Sequence, residues 1–216
     1  LVSFGLSIIL ARLLTPEHYG IMGMSMVIIY LAAIFIDLGF IKPIVQSKDP
    51  SPVQYATVFY INLGIGAVLT TACFFLADAL ASFYRQPLIK PVFEVLSFIF
   101  VINALSLVPS ARLYRAMNFK TITLINITAA LISGIIGILM AYNGYGVWSL
   151  VAQAMSGSVL VFLGNAFTSR FLPVLKFSLP SIKPLWRYGS RLFASGFLDV
   201  LFSRLDVFLI GKIFSP

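Results

Sequence analysis

A chain of 216 residues that is 60% hydrophobic and 10% charged, with a mean hydropathy of +1.00, carries far more apolar side chain than a soluble domain can bury in one core. It must lie in a bilayer, and its net charge of +8 is no nucleic-acid signature, because Lys and Arg fall in short segments between apolar runs. Cys73 is alone in an apolar run, which excludes an intrachain disulfide and a cysteine-rich metal site.

Taken in order, the first helix runs from before Leu1 to Leu14 and stops at Thr15-Pro16-Glu17. Only 14 residues precede that stop, against the ~20 needed to span, so its beginning is expected upstream; no removable signal peptide is visible. A second helix follows from Tyr19 to Ile41, with Asp37 near its far end. Prolines at 43, 50 and 52 break the next connection. The third helix extends from Val53 to Leu80 and the fourth from Pro91 to Val108, with Glu94 in its first turn, where an acid suits the helix dipole. Ser110 to Lys120 reads as a basic connector. The fifth helix runs from Thr121 to Tyr142, the turn Asn143-Gly144-Tyr145-Gly146 tolerates positive φ, and the sixth ends at Phe167. A long basic connector over 168–185 leads to a seventh helix from Trp186 to Ile213.

Ile9-Leu-Ala-Arg-Leu-Leu-Thr-Pro16 returns in kind as Leu209-Ile-Gly-Lys-Ile-Phe-Ser-Pro216. With six helices separating the copies, both point the same way across the membrane, as a parallel repeat of six-helix units requires. The expected organisation is therefore a six-helix lobe over residues 1–167, the connector 168–185, and the first helix of a second, mostly missing lobe over 186–216. The loops after helices two, four and six, with the start of the seventh, carry ten Lys or Arg; the opposite side carries four, Arg12, Arg85, Lys90 and Lys212. Positive loops stay inside, so the amino terminus is expected in the cytoplasm. Tyr19, Tyr55, Tyr84, Tyr142, Trp148 and Trp186 fall near helix ends, as interfacial aromatics do.

Leu10-Ala-Arg-Leu-Leu-Thr-Pro-Glu-His-Tyr-Gly20 resembles the opening signature of Wzx-type polysaccharide and O-antigen exporters, the lipid-linked oligosaccharide flippases of the MATE-like multidrug/oligosaccharidyl-lipid/polysaccharide superfamily. Asp37-Leu-Gly-Phe40, Arg112-Leu-Tyr-Arg-Ala-Met-Asn-Phe-Lys120, Gly144-Tyr-Gly-Val-Trp-Ser-Leu150, Arg187-Tyr-Gly189 and Leu205-Asp-Val-Phe-Leu-Ile-Gly-Lys212 are similar to segments of that family in the same order. His18 departs from it, standing where many relatives carry an acid. The resemblance implies an all-α integral membrane protein of the bacterial cytoplasmic (inner) membrane, with two MATE-like six-helix lobes around a central cavity. It also implies export of a lipid-linked oligosaccharide of the undecaprenyl-pyrophosphate type by alternating access, coupled to a proton or sodium ion, with membrane lipids as the other partner. No cofactor, metal or nucleic acid is implied.

A charged side chain at the bilayer centre costs about 3 kcal/mol, so it faces water or a partner. Asp199, Arg204 and Asp206 fall in the seventh helix; the two acids lie about 20° apart around it, and Arg204 points away from both. Either Arg204 meets a pyrophosphate-linked sugar while an Asp binds the coupling ion, or Arg204 pairs with a neighbouring helix. Asp37 and Arg12 pose the same choice, with snorkelling to the interface as the simpler alternative. Asn62, Asn103, Asn126 and Gln153 face a sugar-binding lumen or tie helices together, the latter being the default. An enzyme lacks its parts: His18 is the only histidine, and no zinc, serine-hydrolase or phosphate-loop pattern is present. Two rivals stay open, a cation-coupled multidrug exporter of the same superfamily and a non-transporting scaffold for polysaccharide synthesis.

Overall fold

A computed structural model describes residues 2–37, 39–47, 49–187, 189–191, 193 and 195. Among these the chain is helical, with no strand: α1 (Val2–Leu13), α2 (Pro16–Ala33), α3 (Ile41–Gln46), α4 (Pro52–Tyr84), α5 (Ile89–Ser97), α6 (Ile99–Arg115), α7 (Phe119–Tyr142) and α8 (Val147–Ser169). A further helical stretch starts at residue 179. Asp199, Arg204, Asp206 and the second repeat copy at 209–216 lie outside the described residues.

Four described segments are long and apolar enough to cross a membrane: α4, α5 with α6, α7 and α8. Protein buries at most 44% of the apolar window in any of them. The remaining faces, with Phe75, Phe83 and Phe167 largely exposed, need hydrocarbon around them, and the chain is a multi-pass membrane protein.

Two of the helix starts use one device. Thr15 precedes Pro16, and the N3 residue His18 turns its Nδ1 back to accept from the Thr15 backbone N–H at 3.3 Å. Ser51 precedes Pro52; its Oγ accepts from the Gln54 N–H at 3.2 Å, while Gln54 Oε1 accepts from the Ser51 N–H at 2.9 Å. Proline fits because the first-turn N–H has no helical partner anyway. His18 thus fills the acceptor role that an acid fills in a capping box, which accounts for its tolerance there.

The structure departs from the sequence reading at several boundaries: helix resumes at residue 179, inside the expected connector and ahead of Trp186, and α3 forms with Pro43 inside it where a proline-broken connection is expected. The second helix ends at Ala33, short of Ile41, and Asp37 stands outside it, with Oδ1 accepting from the N–H groups of Gly39, Phe40 and Ile41 at 3.0, 2.9 and 3.3 Å. A short polar side chain that bonds its own downstream backbone competes with helix, and Gly39 at φ +85° completes the turn. The fourth helix does not stop at Val108 but carries Pro109 inside it and continues to Arg115, so Arg112 and Arg115 form its last turn and not a loop. Proline inside a membrane helix is tolerated where neighbours surround the freed backbone, and Pro109 is fully buried. That span is also divided at Phe98, between α5 and α6.

Packing is built on α6 and α8. α6 lies against α4 on one side and α8 on the other, α7 covers α8, and α1 covers α7; α2 rests on α5, and α3 on α6. Gly66 lets α4 close on α6: a Cβ there would stand 2.9 Å from the Phe100 carbonyl oxygen and 3.0 Å from the Ala104 Cβ. One apolar cluster centres on Phe93 and Phe100. A second, of Phe40, Ile44, Tyr55, Val58, Ile182 and Leu185, binds the start of α4 to α3 and the 179–187 helix. The connector is tied down as well, since Gln54 Nε2 donates to the Ser181 carbonyl at 2.8 Å and the Ser178 N–H donates to Thr57 Oγ1 at 3.1 Å.

Candidate functional site

Between the ends of α2, α6 and α8 and the start of α7 lies a cleft of about 360 Å³, within the size range of small-molecule sites. Each element gives it residues at helical spacing. α6 supplies Asn103, Ser106, Leu107, Ser110 and Tyr114, at intervals of three, four, seven and eleven, which keeps them on one face. α7 adds Ile122 and Asn126, α8 adds Val161 and Asn165, each pair four apart, and the chain leaving α2 adds Ala33, Ile36 and Asp37. Membrane-helix interiors are expensive places for polar groups, so amides and hydroxyls from three helices meeting at one cavity mark it as a site.

The floor is closed by a hydrogen bond, Asn165 Nδ2 donating to Ser106 Oγ at 3.1 Å, with both residues buried. Asn126 and Tyr114 are exposed at the mouth. Asn103, Ser110 and Asn126 make no side-chain hydrogen bond among the described residues, so their donors and acceptors are free for water or a ligand. Among the described residues Asp37 is the one ionisable carboxylate of the lining; the α3 turn occupies its Oδ1 and leaves Oδ2 unused.

Among the described residues, cations are sorted away from this cleft. Arg112 is about 180° around α6 from Asn103. Its guanidinium lies over the rings of Tyr55 and Phe171, 5.9 and 5.7 Å from their centroids, a stabilising cation–π geometry. Arg12, at the exposed end of α1, lines no part of the cleft.

Sequence reasoning singled out Asp37, Asn103 and Asn126, and the structure brings these three together. The default of interhelical hydrogen bonding holds for none of the four amides named above: Asn103 and Asn126 face the cleft, Asn62 is fully buried with neither side-chain atom partnered, and Gln153 packs over Gly137. Buried side-chain bonds across helices are made instead by Asn165 with Ser106 and by Thr70 Oγ1, which donates to the Ser97 carbonyl at 2.9 Å. Asn165 and Ser106, with Ser110 and Tyr114, were missed; the three- and four-residue recurrence of polar side chains along α6 was the available signal.

The chain matches the family described as polysaccharide biosynthesis protein over residues 9–216. It is 28% identical over 216 residues to the lipopolysaccharide biosynthesis protein WzxC of Escherichia coli (strain K12), covering 95% of this chain and 42% of that protein. It is 26% identical over 204 residues to the succinoglycan biosynthesis transport protein ExoT of Rhizobium meliloti (strain 1021), covering 94% of this chain and 41% of that one. The teichuronic acid biosynthesis protein TuaB of Bacillus subtilis (strain 168) is 23% identical over 186 residues, 84% of this chain and 38% of that protein. The chain thus spans about two fifths of the length of these relatives. No solved structure matches it.

Proposed function

The chain belongs to the polysaccharide biosynthesis protein family, and on that premise we propose that it is part of a flippase that moves a lipid-linked oligosaccharide across the bacterial cytoplasmic membrane. The observation that carries the reading is the polar cleft of α2, α6, α7 and α8 in an otherwise apolar bundle. A sugar head crossing a bilayer must exchange its water for protein donors and acceptors, and uncommitted amides and hydroxyls supply them. WzxC, ExoT and TuaB, whose names attach them to lipopolysaccharide, succinoglycan transport and teichuronic acid, support it.

In this reading residues 1–167 form the first six-helix lobe, 168–185 the cytoplasmic connector and 186–216 the first helix of a second lobe. The amino terminus is cytoplasmic, so the cleft, at the ends of α2, α6 and α8, opens to the side where lipid-linked precursors are made. Rocking of the lobes exposes it alternately to the two sides, while the polyprenyl tail stays in hydrocarbon. A coupling proton or sodium ion acts at Asp37 or at Asp199 or Asp206, and Arg204 meets the pyrophosphate. Arg12, exposed at the end of α1, snorkels to the interface.

Asp37, the one charge on the lining among the described residues, favours a second reading, export of organic cations. The complete gene product in vesicles separates the two: fluorescent lipid-linked oligosaccharide is expected to become accessible on the far leaflet, and movement of organic cations without the glycolipid would replace the flippase reading.

A further inference from the structure

We infer that the cleft of α2, α6, α7 and α8 accepts an uncharged, hydroxyl-rich or amino-bearing sugar unit and rejects acidic ones, so that it sets the charge class of glycan carried. This rests on the transport reading above. The free lining groups, the Asn103 and Asn126 amides and the Ser110 hydroxyl, each donate and accept, as sugar hydroxyls do. A carboxylate or phosphate only accepts, so it pairs with their donors and leaves the amide oxygens to water.

Charge decides more strongly than hydrogen bonding. Among the described residues of the lining the one charge is Asp37, and its Oδ2 stands outside the α3 turn. A hydroxyl or a sugar ammonium donates to that oxygen; a uronate brings a like charge and no proton. Among the described residues no Lys or Arg lines the cleft to compensate. Lys42, exposed on α3, acts on Asp37 through space from outside the lining. On α6, which supplies more of the lining than any other element, Arg112 and Arg115 stand about 180° and 120° around the helix from Asn103. The helix therefore separates a neutral polar face from a basic one.

The test uses the complete gene product with two short-chain prenyl-diphosphate disaccharides that differ only in glucose against glucuronic acid at one position. Binding is read as protection of Val161→Cys, in a Cys73→Ala background, from a maleimide, and movement is read in vesicles. The neutral compound is expected to protect at a concentration about tenfold lower than the uronate. Asp37→Asn, which keeps an acceptor for the α3 turn, is expected to bring the two within about twofold, and Asn126→Asp to widen the gap. Equal protection in the unaltered protein, or a preference that ignores both substitutions, overturns the inference. Selective protection without movement of either compound sustains it and removes the transport reading instead.

Discussion

At the scale of single residues, Asp37 has two roles that substitution can separate. Its Oδ1 holds the turn into α3 and its Oδ2 is left to the cleft. Asp37→Ala is expected to lower stability by about 1 kcal/mol through loss of the turn acceptor, whereas Asp37→Asn keeps most of that stability. Thermal unfolding in detergent checks both, and equal melting of the two variants would remove the turn role. His18 gives a second case. Because it acts through an acceptor at N3, His18→Glu should hold the capping box and change stability by less than about 0.5 kcal/mol, while His18→Leu should cost about 0.5–1 kcal/mol.

Among the elements, the contact of α4 with α6 depends on a missing side chain. Gly66→Val would drive a branched Cβ into the Phe100 carbonyl and the Ala104 methyl, neither of which can swing aside. We expect about 1–3 kcal/mol of destabilisation, read as a lower detergent melting temperature, and a smaller effect from Gly64→Val, where a Cβ meets nothing within 4 Å. Element boundaries also show where sequence reading falls short. A Pro-based stop was correct at Pro16 and Pro52, which stand at the first helical turn and lose no hydrogen bond. The same rule failed at Pro109, because whether a helix survives an internal proline depends on what packs around the freed carbonyl, and local sequence does not specify that.

For the whole molecule, the excess of basic residues on one side makes a topological prediction. A cysteine placed at Met117, between α6 and α7, should react with a membrane-impermeant thiol reagent only after the cytoplasmic side is opened, and one at Gln86, between α4 and α5, should react in intact cells. The reverse pattern would invert the orientation and place the cleft mouth outside. Membrane character, the helical class and most of the helix starts were determined by the chain itself, because they follow from hydropathy, from capping boxes and from the penalty on unpaired backbone in hydrocarbon, all of which are local. The cleft was decided by tertiary structure alone. Asn103, Asn126 and Asn165 lie on three different helices and Asp37 on the turn before α3, and an asparagine that lines a cavity reads the same in sequence as Asn62, buried in the bundle, because which face meets which neighbour depends on how α6 is turned between α4 and α8.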